Sequence, residues 1–501
     1  MTLPLVEELI PAPDPASACA ALAGMPYVVF LDSATAHGHA RDAGGRDRYS
    51  FLAADPAIVV RCKGGRAERI DFRDGSRSPV AGHSLAEIRR LLHPFRTAPR
   101  PDLPPFQGGA AGYIAYDWGS VLEQLPAPRY DDLSIPDVVL GVYDCVVAWD
   151  HDTNRAWIVS TGLPDEGRSR TERARHRLTE LERRLAARPE TLSVGQHHPA
   201  RHTPMPRAPS YPVTDVSAAA LIGLRSSFTR RGYLDAVTRV REYIVAGDIF
   251  QANLSQRLEA PLRESSWSLY LRLRALNPAP FAAYLAFEEL HVLSASPERF
   301  LRLDDTRHVE ARPIKGTRPR GIHPAHDAAL GRALADSAKD RAENLMIVDL
   351  LRNDLSRVCA PRSVRVPELF ALEHYSTVHH LVSTVSGELE EGCDAVDLLT
   401  ATFPGGSITG APKVRAMQII AELEPSRRGV YCGSIGYIGT SGVMDTSIVI
   451  RTYQALDDAV YFSAGGGIVA DSDPEQEYRE TLDKARALID ALAATGQPAH
   501  P

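Results

Sequence analysis

An α+β chain dominated by antiparallel sheet is what the sequence predicts, on three observations. Apolar runs of strand length recur between residues 27 and 160, with turn residues between them. From about residue 229 the order becomes helix, strand, strand. Two segments, 339–355 and 475–493, carry the clearest helical periodicity in the chain.

In chain order, 27–31, 57–62 and 138–150 read as strands and 157–160 as a last strand of this region. Residues 164–188 are rich in Arg and Glu, with Leu178, Leu181 and Leu185 at helical spacing, which predicts a solvated helix with one apolar edge. Pro189, Pro199, Pro204, Pro206, Pro209 and Pro212 then mark a linker or surface meander. Residues 230–246 form an amphipathic helix that ends at Gly247. Residues 251–258 read as a strand, 281–287 and 291–296 as a hairpin, and 300–303 as a further strand. Segments 437–439, 446–452 and 460–465 complete the strands. The expected division is a β-rich unit at 1–188, a Pro-rich linker at 189–225 and a second unit at 226–497.

Composition excludes several functions. The 501 residues are 44% hydrophobic, enough for a sizeable core, and carry a net charge of −7 with both signs spread along the chain. A nucleic-acid binder needs a basic stripe, which is missing. The six cysteines (Cys19, Cys62, Cys145, Cys359, Cys393 and Cys432) form no CxxC pair, so neither a zinc site nor a disulfide framework is expected. No uninterrupted apolar stretch approaches the roughly 18 residues of a membrane span. The N-terminus shows no basic and apolar leader pattern, and reduced thiols fit a cytoplasmic location.

The candidate chemistry lies in the C-terminal half. In Arg312-Pro313-Ile314-Lys315-Gly316-Thr317, Pro313 fixes φ and Gly316 allows a turn and close approach of a ligand. A lysine held there, short of water, can lose its proton near neutral pH and act as a nucleophile; the alternative is a surface lysine in a turn. Asp340 and Glu343 lie three residues apart on one helix, as do Glu477 and Glu480 on another. Paired carboxylates suit a hard cation such as Mg²⁺, or else salt bridges to Lys339, Arg341, Arg479 and Lys484. Residues 403–413 contain G-x-x-x-x-G, but Ala411 stands where a P-loop needs Lys, so only backbone amides and the hydroxyls of Ser407 and Thr409 are on offer. Gly465-Gly466-Gly467 leaves backbone amides open to an anion, or makes a tight turn. Arg451 reads as lying in an apolar strand, where an inward guanidinium needs a carboxylate partner.

Together these segments resemble the chorismate-utilising enzymes, among them the large subunit of anthranilate synthase and component I of aminodeoxychorismate synthase. The resemblance runs through Arg48-Tyr49-Ser50-Phe51-Leu52, Pro105-Phe106-Gln107-Gly108-Gly109, residues 247–257, Ser296-Pro297-Glu298-Arg299-Phe300, residues 349–354 and Asp471-Ser472-Asp473-Pro474. It implies an anthranilate synthase-like α+β fold, two large and mostly antiparallel sheets packed as a sandwich with helices outside, and makes 226–497 the chorismate-binding unit. Lys315 and the PGGSITGAPK form of residues 404–413 match the aminodeoxychorismate branch. Anthranilate synthases typically have Ala at the position of Lys315. Isochorismate and salicylate synthases place a lysine near Gln251, and Gln251 cannot deprotonate water.

The resemblance implies amination of chorismate at C4, with Glu298 as the acid, Lys315 as the covalent nucleophile and His380 near the leaving hydroxyl. It gives Glu343 and Glu480 as direct Mg²⁺ ligands, with Glu477 and Asp340 bound through water. Tyr437, Arg451, Gly466 and Gly467 are implied to bind the side-chain carboxylate. Thr409 is implied to face the ring, and Lys484 to join the substrate-binding set. His379 should point away from His380, since neighbours in a strand face opposite sides. A tryptophan pocket, where one is kept, falls on Asp32, Ser33, Pro278 and Phe281. Cys432 lies outside a G-x-C-x-G turn, so ammonia is expected from a separate glutamine amidotransferase subunit.

Overall fold

The computed structural model describes residues 4–34, 47–187, 206–288, 290–375 and 378–494. Among the described residues two large antiparallel sheets, of 13 and 12 strands, pack face to face with helices on their outer faces. The shared interior holds Val29, Phe51, Ala283 and Val292 from one sheet and Tyr113, Val139 and Ile435 from the other. The outer face of the first sheet is covered by helices that include Arg230–Val245 and Pro474–Ala493. That of the second is covered by helices that include Ser84–Leu92, Ala338–Ser356 and Ala395–Thr402. This is the α+β sandwich that the sequence predicts.

The boundaries at 188 and 226 mark no break in either sheet. In the first, Val28–Asp32 lies between Tyr49–Ala53 and Phe281–Ala286, with Leu31 opposite Ala283. In the second, Gly109–Ile114 pairs with Ser434–Gly439, and Gly112 faces Gly436 across the ladder. The reason lies in the strands themselves. Gly109–Ile114 and Val138–Tyr143 are buried at every position, so each needs partners on both edges and cover on both faces. Gly112 has φ +148, and a Cβ there would lie 2.1 Å from the carbonyl oxygen of Val139. Of the expected linker, 189–205 lies outside the described residues. From 206 onward the chain joins the first sheet, with Tyr211–Pro212 paired to Arg225–Ser226.

Two expected strands are each divided. Residues 138–150 form Val138–Tyr143 in one sheet and Cys145–Asp150 in the other, and the chain crosses between them at Asp144. Residues 446–452 split into Met444–Ile448 and Thr452–Leu456, again in different sheets. Among the described residues no helix is long and apolar enough to cross a membrane.

The crossover at Asp144 explains the Arg-rich helix Gly167–Ala186. Asp144 is fully buried. It accepts from Arg173 Nε at 2.6 Å and from Arg177 Nε at 3.2 Å. Arg177 is also buried and donates to the carbonyls of Ala54 and Asp55 and to the Asp55 carboxylate. The helix therefore buries an arginine as well as an apolar edge. Removing one partner of a buried ion pair strands the other. Arg177→Ala is expected to lower the unfolding free energy by about 3–5 kcal/mol in a denaturant titration; a loss below about 1 kcal/mol would show the pair to be solvated.

Candidate active site

Glu298, Lys315 and the two carboxylate-bearing helices come within electrostatic reach of one another. Glu298 occupies the break between His291–Ser296, in the first sheet, and Arg299–Leu303, in the second. Pro297 precedes it and cannot donate to a ladder. Its backbone is held by Ile448 N–H donating to its carbonyl at 3.0 Å. The Glu298 side chain is 4% exposed and accepts from Ser407 Oγ at 2.6 Å. Burial raises its carboxyl from 4.5 to about 7, against the lowering influence of Ser407 and Lys315.

Lys315 lies in Ile314–Pro319, an edge strand whose register with Val378–Glu388 shifts between Ile314 and Thr317. That irregularity holds Lys315 and Gly316. Gly316 has φ +93, and a Cβ there would lie 2.9 Å from Leu334 Cδ1 and 3.1 Å from Asp340. Glycine thus permits both the turn and the contact with helix Ala338–Ser356. Burial pushes the Lys315 ammonium below its usual value. Glu343, Glu298 and Glu480 oppose that shift and Lys484 adds to it. One lysine therefore sits within electrostatic reach of the acid and of a carboxylate from each helix.

His380 is 3% exposed and shares a hydrogen bond with Thr317 Oγ1 at 2.9 Å, two residues from Lys315. His379 points to the opposite side, where it meets His374 and Asp327. Arg451 stands outside any strand. Its backbone turns with φ +54 between the strands ending at Ile448 and starting at Thr452. Burial lowers the Arg451 pKa, and among the described residues its guanidinium has no ion pair or hydrogen-bond acceptor. It is a desolvated cation open to an anionic ligand.

The glycines are in a strand, not in a turn beyond one. Ala459–Ile468 runs through them, with Asn253 opposite Gly467 and Leu254 opposite Gly466. The partner on the other edge ends at Phe462, so among the described residues positions 464–468 pair on one side only. Open backbone groups come from a strand edge. The missing side chains also matter. A Cβ at Gly466 would meet Glu477 Oε2 at 2.9 Å, and one at Gly467 would meet Gln251 Nε2 at 1.9 Å. Gln251 itself is 1% exposed and among the described residues its Oε1 has no partner.

Two expected substrate contacts are placed elsewhere. Tyr437 stacks on Phe106 at 4.6 Å and belongs with Ile435 to the interior between the sheets. Strand alternation turns it away from the lysine, into a separate cavity of about 450 Å³. The Thr409 hydroxyl is turned back on its own turn, donating to Gly405 O at 3.0 Å. Ser407, two residues earlier, is the hydroxyl that reaches the acid. Its signal in the sequence was only its place in the glycine-rich segment.

The four carboxylates are unequally engaged. Glu480 Oε1 lies 2.6 Å from Lys484 Nζ, and Lys484 also donates to Gly465 O at 2.9 Å. Glu343 is 4.0 Å from Lys339, and burial raises its pKa with a contribution from Glu480. Glu477 accepts from Ser472 Oγ at 2.7 Å. Asp340 is drawn aside to Arg318 at 2.8 Å. Among the described residues no group of three or more His, Cys, Asp or Glu is gathered to hold a metal ion. The donors present are nonetheless hard oxygens from two helices, and Mg²⁺ that keeps its waters needs only one or two carboxylates. Glu343 and Glu480 fit that requirement.

The 450 Å³ cavity is lined by Asp32, Ser33 and Phe281, whereas Pro278 is not among its walls. The Asp32 carboxylate is taken by Arg274 and Tyr270 at 2.5 and 3.1 Å. Ser33 Oγ donates to Tyr49 O at 2.6 Å. Cys432 is fully buried and its thiol is pushed up to about 12, which suppresses the thiolate.

Raising the Glu298 pKa on folding favours the fold while the group is protonated. That contribution is complete below pH 4.5 and is lost as pH rises through about 7. Glu298→Gln has no such loss. Its stability relative to the parent should therefore rise by about 2–3 kcal/mol between pH 5 and pH 9, as read by urea unfolding. A difference independent of pH would mean that the carboxyl is not desolvated.

Residues 43–490 match the family model for chorismate binding enzymes. The chain is 42% identical to aminodeoxychorismate synthase component 1 of Salmonella typhimurium, over 89% of this chain and 90% of that one. It is 40% identical to the Escherichia coli protein of the same name, over 94% of each. It is 41% identical to anthranilate synthase component 1 of Thermus thermophilus, over 90% of each. Among solved structures, anthranilate synthase component I from Streptococcus pneumoniae superposes with a TM-score of 0.73 at 29% identity, covering 90% of this chain and 94% of that one. With an acid, a desolvated lysine and an open arginine gathered beside paired carboxylates, and with family and fold matched over most of its length, this chain belongs to the chorismate binding enzymes.

Proposed function

We propose that this protein is an aminodeoxychorismate synthase component 1, converting chorismate and ammonia to 4-amino-4-deoxychorismate and water. The observation that carries the reading is the Glu298–Lys315 pair. Each group sits short of water and within electrostatic reach of the other, and burial moves both toward their neutral forms. A protonated carboxyl and a neutral amine are what the substitution needs. Hydroxide leaves poorly, so Glu298 gives its proton to the C4 hydroxyl, which departs as water. The Lys315 amine bonds to C2 as the C4–O bond breaks. Ammonia then bonds to C4, the C2–N bond breaks, and the lysine is regenerated. Covalent participation divides one difficult displacement into two.

Arg451 is suited to the side-chain carboxylate, beside the free strand edge at Gly466 and Gly467. His380, fixed by Thr317, borders the ring. Glu343 and Glu480 would hold Mg²⁺, with Glu477 and Asp340 reaching it through water. When bound, the ion would supply positive charge opposite the ring carboxylate. For Asp340 that reach requires release from Arg318. Ammonia comes from a second subunit, a glutaminase, since several relatives are named as component 1 of the same synthase. Tryptophan is the proposed occupant of the separate cavity at Ser33 and Phe281, whose volume accommodates an amino acid.

A second reading, anthranilate synthase, is favoured by the 41% identity to the Thermus thermophilus protein. Lys315 separates the two. Incubation with chorismate, Mg²⁺ and ammonium should give a product of unchanged carbon skeleton bearing one amino group, followed by mass spectrometry. Lys315→Ala should abolish most of it. Anthranilate and pyruvate, formed equally by the variant, would assign the chain to the second reading. Glu298→Gln is expected to lower kcat by about 10²- to 10⁴-fold. In the parent, kcat should fall as pH rises above about 7, where Glu298 loses its proton.

A further inference from the structure

A cavity of about 160 Å³ lies where residues 94–99 meet the turn between Ser434–Gly439 and Met444–Ile448. The two segments are tied by Thr97 N–H, which donates to Thr440 O at 3.3 Å. Helix Gly167–Ala186 adds Arg170 to the wall. None of the residues assigned above to chorismate or to Mg²⁺ lines this cavity.

Its charge is one-sided. Arg96 and Arg170 line it, and among the described residues no Asp or Glu does. Neither arginine has a carboxylate partner among the described residues, although the chain carries a net charge of −7. Arginines close by in the sequence are paired, Arg100 with Asp102 at 2.5 Å and Arg173 with Asp144 at 2.6 Å. Arg170 donates from Nε to Thr161 O at 2.9 Å and packs 5.3 Å from the centre of the Phe95 ring. Its two terminal nitrogens have no acceptor among the described residues. Burial lowers its pKa and no carboxylate opposes that shift, the condition also found at Arg451. Arg96 lies against the turn, where a Cβ on Gly442 would meet its terminal nitrogen at 3.1 Å.

Thr440 supplies a hydroxyl. It lines the cavity, is 6% exposed, and its Oγ1 has no hydrogen-bond partner among the described residues. Buried hydroxyls are ordinarily satisfied, so one left open toward a cavity points to a ligand. Water can satisfy a hydroxyl, but it does not neutralise two guanidinium groups. A monocarboxylate would answer one arginine, whereas a phosphate group has the charge and the oxygens to answer both and the hydroxyl. The volume falls below the roughly 300–1,000 Å³ of sites for drug-sized ligands. Inorganic phosphate or a small phosphate ester fits it, and a nucleotide does not.

We propose that this cavity binds a phosphate group, held by Arg96, Arg170 and the Thr440 hydroxyl, at a site separate from that of chorismate. The site stands whichever reaction the chain performs.

Sodium phosphate titrated calorimetrically into the full chain, in chloride buffer of matched ionic strength, should bind saturably and raise the Tm to a plateau. Arg96→Gln and Thr440→Val should each weaken that binding about tenfold, the weight of one hydrogen bond to a charged group, with the Tm in chloride unchanged. Arg451→Gln should leave it unaltered. Glycerol 3-phosphate tells the sources apart: binding of both ligands supports a site open to esters, and binding of phosphate alone supports a site for the free ion. Binding that is lost in Arg451→Gln and kept in Arg96→Gln would put the anion in the chorismate site and overturn the proposal. A chain that responds to phosphate no more than to chloride would overturn it as well.

Discussion

The constraint on which this structure turns is a carboxyl and a lysine within electrostatic reach of each other, each pushed by burial toward its neutral form. Two opposite charges at short range would each stabilise the ionised form of the other. Desolvation has to outweigh that attraction. The walls that exclude water come from both sheets and from two helices, and no single element supplies them. Glu298 stands where the chain passes from one sheet to the other. Lys315 stands in an irregular edge strand pressed on helix Ala338–Ser356. The glycine strand and helix Pro474–Ala493 close the remaining side.

The surrounding charges are arranged so that the lysine is not simply neutralised by the nearest carboxylate. Glu480 is engaged by Lys484, and Lys339 stands near Glu343. Asp340 is bridged to Arg318. Each pairing reduces the field that would return a proton to Lys315. Arg451 has no protein acceptor among the described residues. It is desolvated and held by a backbone in the left-handed region, which costs of order 1–3 kcal/mol for a residue other than glycine. Such an arginine is a stability cost that an anionic ligand offsets.

The acid is prepared from two sides. One oxygen of Glu298 is held by Ser407, whose turn is braced from behind by Arg428. The same turn therefore both orients the carboxyl and anchors the Arg428–Glu424 pair.

Much of this was legible in the linear chain, and the exceptions have a common cause. Strand-length apolar runs and helical periodicity report burial, so the α+β class and the helices bearing Asp340, Glu343, Glu477 and Glu480 followed from pattern alone. The Pro313–Gly316 frame marked Lys315 because proline and glycine restrict or free the backbone locally. What failed was direction. Tyr437 was expected at the substrate but faces the interior. Thr409 was expected at the ring but bonds its own turn. Arg451 was expected in a strand but occupies the turn between two. The interleaving of the chain's halves was hidden too, because strand pairing between residues hundreds of positions apart leaves no local mark. The sequence by itself determined which segments are buried and which residue types are on offer for chemistry, since those depend on side-chain type and short-range spacing. Only the tertiary structure decided which way each side chain points and that Ser407, rather than Thr409, holds the acid, since those depend on pleat phase and long-range register.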